Sequence, residues 1–138
     1  MRRTLQILLI LFGAADIIIS LFHIILGPSA IPGSVPVNAT MDSEDRFYAT
    51  LFLAYGITVL WCVKDVEHKS RIVYALMLMF FIGGMARLVS VLAVGLPNTF
   101  FIAMTVIELL LPIIVTYIQI RVTAAHMAVQ VGAANSRV

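Results

Sequence analysis

Residues 4–26 read TLQILLILFGAADIIISLFHIIL, with one charged side chain, Asp16, and no proline. At 1.5 Å per residue a helix of this length rises about 34 Å, enough to cross the roughly 30 Å hydrocarbon core of a bilayer. The bilayer itself dictates the helix. In lipid every backbone polar group must be paired within its own segment, and an open sheet of continuous apolar runs cannot achieve that. Arg2 and Arg3 precede the run and the small Ala14 and Ala15 lie inside it, the ingredients of a signal peptide. The apolar stretch nevertheless outlasts the usual h-region of about 7 to 15 residues and lacks an A-x-A site, so an uncleaved first span is expected.

Working outward, the same pattern recurs at Arg46–Val63, Arg71–Val94 and Thr99–Val122. The intervening segments carry turn formers and charges: Gly27, Pro28, Pro32, Gly33 and Pro36, then Lys64 to Ser70, then Gly95, Pro97 and Asn98. The whole chain of 138 residues is 62% hydrophobic and 12% charged, with a mean hydropathy of +1.06. Soluble domains are about 25% charged and about half apolar, so this chain lacks the polar surface to wrap a core in water. Composition thus argues against a cytosolic enzyme, a nucleic-acid-binding module, a disulfide framework and a disordered linker. The net charge of +2 is small and its cations are not gathered into a patch, so nucleic acid is not an expected partner. The lone Cys62 reads as a small buried hydrophobe. The predicted fold is all-α: a polytopic four-transmembrane-helix bundle forming one membrane domain over residues 1–122, with a frayed C-terminal tail over 123–138.

Positive charge orients the bundle. Arg2, Arg3, Lys64, Lys69, Arg71, Arg121 and Arg137 all fall on one side of four spans, whereas the opposite side holds Asp42, Glu44 and Asp45 with Arg46 alone among cations. Both termini are expected in the cytoplasm. Asn38-Ala39-Thr40 matches a glycosylation sequon on the outer side but is read as loop. Tyr48, Tyr55, Tyr74 and Trp61 suit interfacial aromatic belts.

Three charges do not label a membrane face. Asp16, Arg87 and Glu108 lie within apolar spans, where each costs about 2.5 to 3.5 kcal/mol at mid-membrane unless paired or solvated. Their depths place all three in the outer half. Helical spacing gives Asp16 a stripe of small or polar neighbours, Gly13, Ser20, His23 and Gly27, opposite a face of Ile and Leu. Arg87 shares a face with Gly83, Ser90 and Val94, with Gly84 and Ala86 beside it, so another backbone is expected there. Glu108 shares its face with Thr105 and Pro112; the proline has no N–H, freeing the Glu108 carbonyl beside its carboxylate as a receptor for guanidinium. Arg46, Tyr48, Thr50 and Tyr55 are placed to close the outer end. The expected cluster is Asp16, His23, Arg46, Tyr48, Arg87 and Glu108. The same charges also read as an ion pair that fixes helix order, and His23 as a satisfied interfacial histidine. No metal motif, P-loop, GxGxxG in strand context or Ser-His-Asp order appears, so neither metal nor cofactor is expected and no catalytic residue is named. A weak echo, Phe12-Gly13-Ala14 with Ser20 against Ile82-Gly83-Gly84 with Ser90, suggests a duplicated hairpin.

Three blocks carry a family resemblance: Asp42-Ser43-Glu44-Asp45-Arg46-Phe47-Tyr48-Ala49, then Gly83-Gly84-Met85-Ala86-Arg87-Leu88-Val89-Ser90 with Gly95-Leu96-Pro97, and Glu108-Leu109-Leu110-Leu111-Pro112. Together they resemble a bacterial family of small four-helix membrane proteins known as a domain of unknown function (number 4345). The resemblance runs from the first helix to about Arg121 and implies a bacterial inner-membrane location and four helices. It brings no activity, substrate or catalytic residue. Its motifs contain Arg46, Arg87 and Glu108; Asp16 and His23 lie outside them.

The leading expectation is a non-enzymatic protein whose outer pocket binds a small amphipathic or anionic molecule, or receives a partner subunit, through Arg46 and Arg87, with the loop Gly27–Asp45 as a lid. The expected partners are membrane lipid, that ligand, and a second copy or another membrane subunit. Acids at mid-depth also suit a proton- or ion-coupled transporter working as an oligomer. A lipid-modifying enzyme using Glu108 or Asp16 with His23 as general acid and base is the third class.

Overall fold

A computed structural model of the chain describes residues 1–135 and bears out the four-helix bundle: α1 (Arg2–Leu26), α2 (Ala39–Cys62), α3 (Ser70–Val94) and α4 (Thr99–Asn135). Each is long and apolar enough to cross a membrane. Ser136 and Arg137, assigned above to the tail and to the inner charge set, lie outside the described residues. The N-terminus, the α2–α3 turn and the C-terminal part of α4 share one end of the bundle, called the terminal end below. The α1–α2 connection and the α3–α4 turn share the other, the loop end.

Helix boundaries follow local chemistry. Gly27, at φ 62°, stops α1 and passes its N–H to the His23 carbonyl. This is the left-handed region that glycine occupies without a Cβ clash. A Cβ at Gly27 would also lie 2.6 Å from Asp42 Oδ1. After a 3₁₀ turn at Gly27–Ala30 the chain is irregular to Asn38. There the Asn38 side chain accepts the Met41 N–H at 2.9 Å, an N-cap with Asp42 in the first turn. This cap starts α2 seven residues before the expected Arg46, so residues 39–45, expected as loop, are helix. At the other extreme, the expected frayed tail from Thr123 is helical through Asn135, which makes α4 37 residues long.

The helices pack mainly as two hairpins, α1 with α2 and α3 with α4. In the first, the backbones touch at Gly13 and Gly56: a Cβ on Gly13 would lie 2.9 Å from Leu60 Cδ2, and one on Gly56 3.0 Å from the Gly13 carbonyl. In the second, Gly84 packs on Glu108, whose Cβ would be 3.0 Å from an added Cβ, while Gly83 has nothing within 4 Å. The close approach expected of α3 is therefore made one residue later than the echo with Gly13 suggests.

The buried apolar core lies in the terminal half. Leu5 and Leu9 of α1 meet Val59 and Cys62 of α2, Val66 of the turn, Val73, Leu76 and Met77 of α3, and Val115 and Val122 of α4. Cys62 is wholly buried there, as expected. Buried or half-buried polar groups in this half tie separate segments together. Gln119 Nε2 donates to the Val66 carbonyl at 2.7 Å, and the Tyr55 hydroxyl to the Leu76 carbonyl at 2.6 Å. Within the first hairpin, Gln6 Nε2 reaches the Val63 carbonyl at 2.8 Å, and Arg2 pairs with Glu67. The outer surface carries large exposed apolar side chains such as Ile25, Leu78 and Leu92, a face suited to lipid.

Candidate functional site

Toward the loop end the core gives way to a floor of rings. Phe12 stands edge-on to Tyr55 at 6.0 Å and against Phe80 at 4.6 Å between centroids. Above it the hairpins enclose a cavity of about 400 Å³, within the range of about 300 to 1,000 Å³ common for small-molecule sites. All four helices contribute to its wall, which is mostly apolar, with Phe22, Phe52, Phe80, Phe100, Phe101 and Met104 the bulk of it. Ala30 and Pro32 of the α1–α2 connection also line it. That connection reaches the second hairpin at Gly33, where an added Cβ would lie 3.2 Å from Asn98 Nδ2. The connection is thus shorter than the expected loop Gly27–Asp45, since residues 39–45 belong to α2.

Five of the six expected site residues line this cavity: Asp16, His23, Tyr48, Arg87 and Glu108. Arg87 Nε donates to Glu108 Oε1 at 2.9 Å and Oε2 at 2.7 Å. The guanidinium also lies 5.3 Å from the Phe101 ring centroid. The Glu108 side chain is 7% exposed against 40% for Arg87, so the acid is the buried member of the pair. Arg87 therefore meets the carboxylate through its Nε edge and not through a two-pronged fork. Its Nη1 and Nη2 donate to no described residue.

His23 Nδ1 lies 3.0 and 3.1 Å from the two oxygens of Asp45. An ionised carboxylate only accepts, which assigns the proton to Nδ1 and leaves Nε2 as the other ring nitrogen. Asp45 also lines the cavity and is the residue that sequence reasoning placed in the loop. Its signal was available: Asp45, Tyr48, Ala49 and Phe52 follow helical spacing and all line the wall. A helix started at the Asn38 cap would have put them on one face.

Arg46 does not line the cavity. Its Nε and Nη2 grip Asp42 at 2.8 and 3.1 Å, and Nη1 donates to the carbonyls of Ile24 at 2.6 Å and Ile25 at 3.1 Å. It caps the last carbonyls of α1, groups that a helix end leaves unpaired. Of the residues expected beside it, Thr50 donates to its own helix at the Phe47 carbonyl and Tyr55 lies in the floor.

Asp16 and Ser20 complete the polar lining. Both belong to the expected stripe of α1, whose members Gly13, Ser20 and Gly27 are buried and Asp16 and His23 half-buried. Ser20 is 2% exposed, and neither its Oγ nor the buried Asp16 Oδ2 has a hydrogen-bond partner. Among the described residues no three His, Cys, Asp or Glu side chains are grouped to hold a metal. The family model described as Domain of unknown function (DUF4345) matches residues 4–119. No curated protein and no solved structure matches the chain.

Proposed function

The chain belongs to the family described as Domain of unknown function (DUF4345), and from the loop-end cavity we propose that it is a non-enzymatic membrane protein that binds a small amphipathic molecule between its two hairpins. It resides in the bacterial inner membrane with both termini cytoplasmic and the cavity toward the outer leaflet. Arg2, Arg3, Lys64, Lys69, Arg71 and Arg121 on the terminal side, against Asp42, Glu44 and Asp45 on the other, support that orientation.

One observation carries the reading: an apolar cavity of about 400 Å³ is lined by polar groups whose hydrogen-bonding capacity the protein leaves unused. A cavity that served only to fix helix order would satisfy its own polar groups, because each unpaired one is costly in lipid. Arg87 and Glu108 satisfy each other in part; Ser20 and Asp16 have no such bond. Apolar walls with a few converging polar groups are the usual form of a site for an amphipathic ligand.

The test is an inventory of small molecules that copurify. Ala49 is buried and lines the cavity from α2, so Ala49→Phe fills the space while sparing every charge. Mass spectrometry of extracts from mildly solubilised protein is expected to find an amphipath near one per chain in the wild type and to lose it in Ala49→Phe. Equal inventories from two folded proteins would overturn the proposal.

A further inference from the structure

The charges in the cavity specify the ligand beyond its shape. Five ionisable side chains other than tyrosine line it: Asp16, His23, Asp45, Arg87 and Glu108. Glu108 is held by Arg87 and Asp45 by His23. Asp16 takes part in none of the ion pairs among the described residues. Its Oδ2 is buried over Gly56, where an added Cβ would lie 3.0 Å away. The acid without a counter-charge in this cavity is therefore Asp16. An anionic headgroup placed on the free edge of Arg87 would share the cavity with three carboxyl groups, one of them unbalanced, and Arg87 is already matched by Glu108.

Resting on the amphipath-binding reading above, we propose that the cavity selects an organic monocation, a hydrophobic amine whose ammonium group pairs with Asp16 and whose apolar body lies among the rings. Two further features fit that chemistry. Ser20, four residues from Asp16 and so on the same helical face, presents a buried Oγ with no partner. An ammonium with several N–H donors engages the carboxylate and this oxygen together. The wall is rich in phenyl rings, Phe22, Phe52, Phe80, Phe100 and Phe101, whose faces attract a cation where water is excluded. Because Arg87 and Glu108 balance each other on the second hairpin, the unpaired acid on α1 orients the ligand with its charge toward that helix. The sequence-based expectation of an anionic ligand held by Arg46 and Arg87 is replaced on two grounds: Arg46 caps α1 outside the cavity, and Arg87 carries its own acid.

The experiment compares decylamine, decanol and decanoate, which share a chain and differ in head charge. Calorimetric titration near neutral pH into protein in nanodiscs of zwitterionic lipid, with protein-free nanodiscs subtracted, reads the affinities. Decylamine is expected to saturate one site about tenfold or more tighter than decanol, the margin of a charge-assisted over a neutral hydrogen bond, with decanoate weakest. Asp16→Asn is expected to bring decylamine to the level of decanol and to leave decanol unchanged. Decanol or decanoate binding as tightly as decylamine, or an amine preference that persists in Asp16→Asn, overturns the monocation assignment and leaves amphipath binding standing. Saturable binding of none of the three, with an equal extract inventory from Ala49→Phe, overturns both.

Discussion

The terminal end and the loop end of this bundle are made from the same four helices and differ in what they do with buried polarity. At the terminal end ten apolar side chains close the core, and Gln119 and Tyr55 direct their donors to carbonyls of another segment, with Gln119 Oε1 the one buried side-chain polar atom there, among the described residues, that lacks a partner. At the loop end the hairpins separate around a cavity, and two of its buried polar atoms, Asp16 Oδ2 and Ser20 Oγ, have no partner. In lipid, where apolar burial gives helices little reason to associate, packing and hydrogen bonds hold a bundle together. The buried apolar packing is therefore concentrated at the terminal end, and the loop end, held by ion pairs between helices, carries two of the three unmet buried side-chain polar atoms among the described residues, the kind of unmet interaction that ligand sites retain.

The largest effect should come from the loop-end ion pair with the most buried acid, Arg87–Glu108. Arg87→Leu strands an acid whose side chain is 7% exposed, and a cost on the order of 3 kcal/mol is expected for a stranded buried charge. Glu108→Leu strands an arginine that is 40% exposed and retains its stacking on Phe101, so it should cost less. The double variant should fall closest to wild type, because no charge is left alone. Thermal unfolding of the four proteins in one detergent gives the ranking. Equal losses in both single variants would show that the two charges are equally solvated and that the loop end is more open than the geometry indicates.

Next in size is a contrast between two polar deletions. Gln119→Leu removes the bonds to the Val66 carbonyl and to Thr123 Oγ1 and leaves the carbonyl unpaired, at about 1 to 3 kcal/mol. Ser20→Ala removes a hydroxyl with no partner and should stay within about 0.5 kcal/mol of wild type. Asp16→Asn, which replaces a half-buried carboxyl that no ion pair balances, should hold or raise the melting temperature even as it abolishes amine preference. A Ser20→Ala loss as large as that of Gln119→Leu would erase the distinction between the ends.

How much of this was legible in the sequence follows the same division. The apolar spans dictated the helices, because lipid permits nothing else, and the price of intramembrane charge singled out Asp16, Arg87 and Glu108. The stripe Gly13, Asp16, Ser20, His23 correctly faced protein. Legibility failed where charge density was mistaken for a loop: Asp42 to Arg46 read as a membrane face, although Asn38 before an acidic turn is an N-cap signal. That single boundary hid Asp45 from the cavity lining. The role of Arg46 was hidden for a different reason. Capping the Ile24 and Ile25 carbonyls depends on how α1 ends at Gly27, a tertiary fact that spacing within one helix cannot carry. Gly84 in place of Gly83 is a one-residue rotation, finer than small-residue patterns resolve.

The smallest expected effect compares the two histidine–aspartate pairs. His23–Asp45 bridges α1 and α2 beside the cavity, with both side chains about a fifth exposed, at 23% and 18%. His68–Asp65 is local, three residues apart in the α2–α3 turn and mostly in solvent, at 64% and 47%. The Asp65 hydrogen bond and charge hold the His68 pKa above its ordinary 6.5, against a minor opposing effect of desolvation. Glu67 adds to the rise, and the His126 ring stands edge-on 5.2 Å away. A raised folded pKa stabilises the protonated form, so the pair's contribution is complete below about 6.5 and fades as pH climbs through the raised value. Because the pair is exposed, the melting temperature should scarcely move across that window. Ring proton shifts of His68 followed by NMR should titrate above 6.5 and return toward it in Asp65→Asn, with the His23 resonances unchanged. A His68 that titrates at 6.5 in both proteins would mean the turn does not hold the pair in solution, and the ordered polar contacts of the terminal end would then begin at Gln119 and Val66.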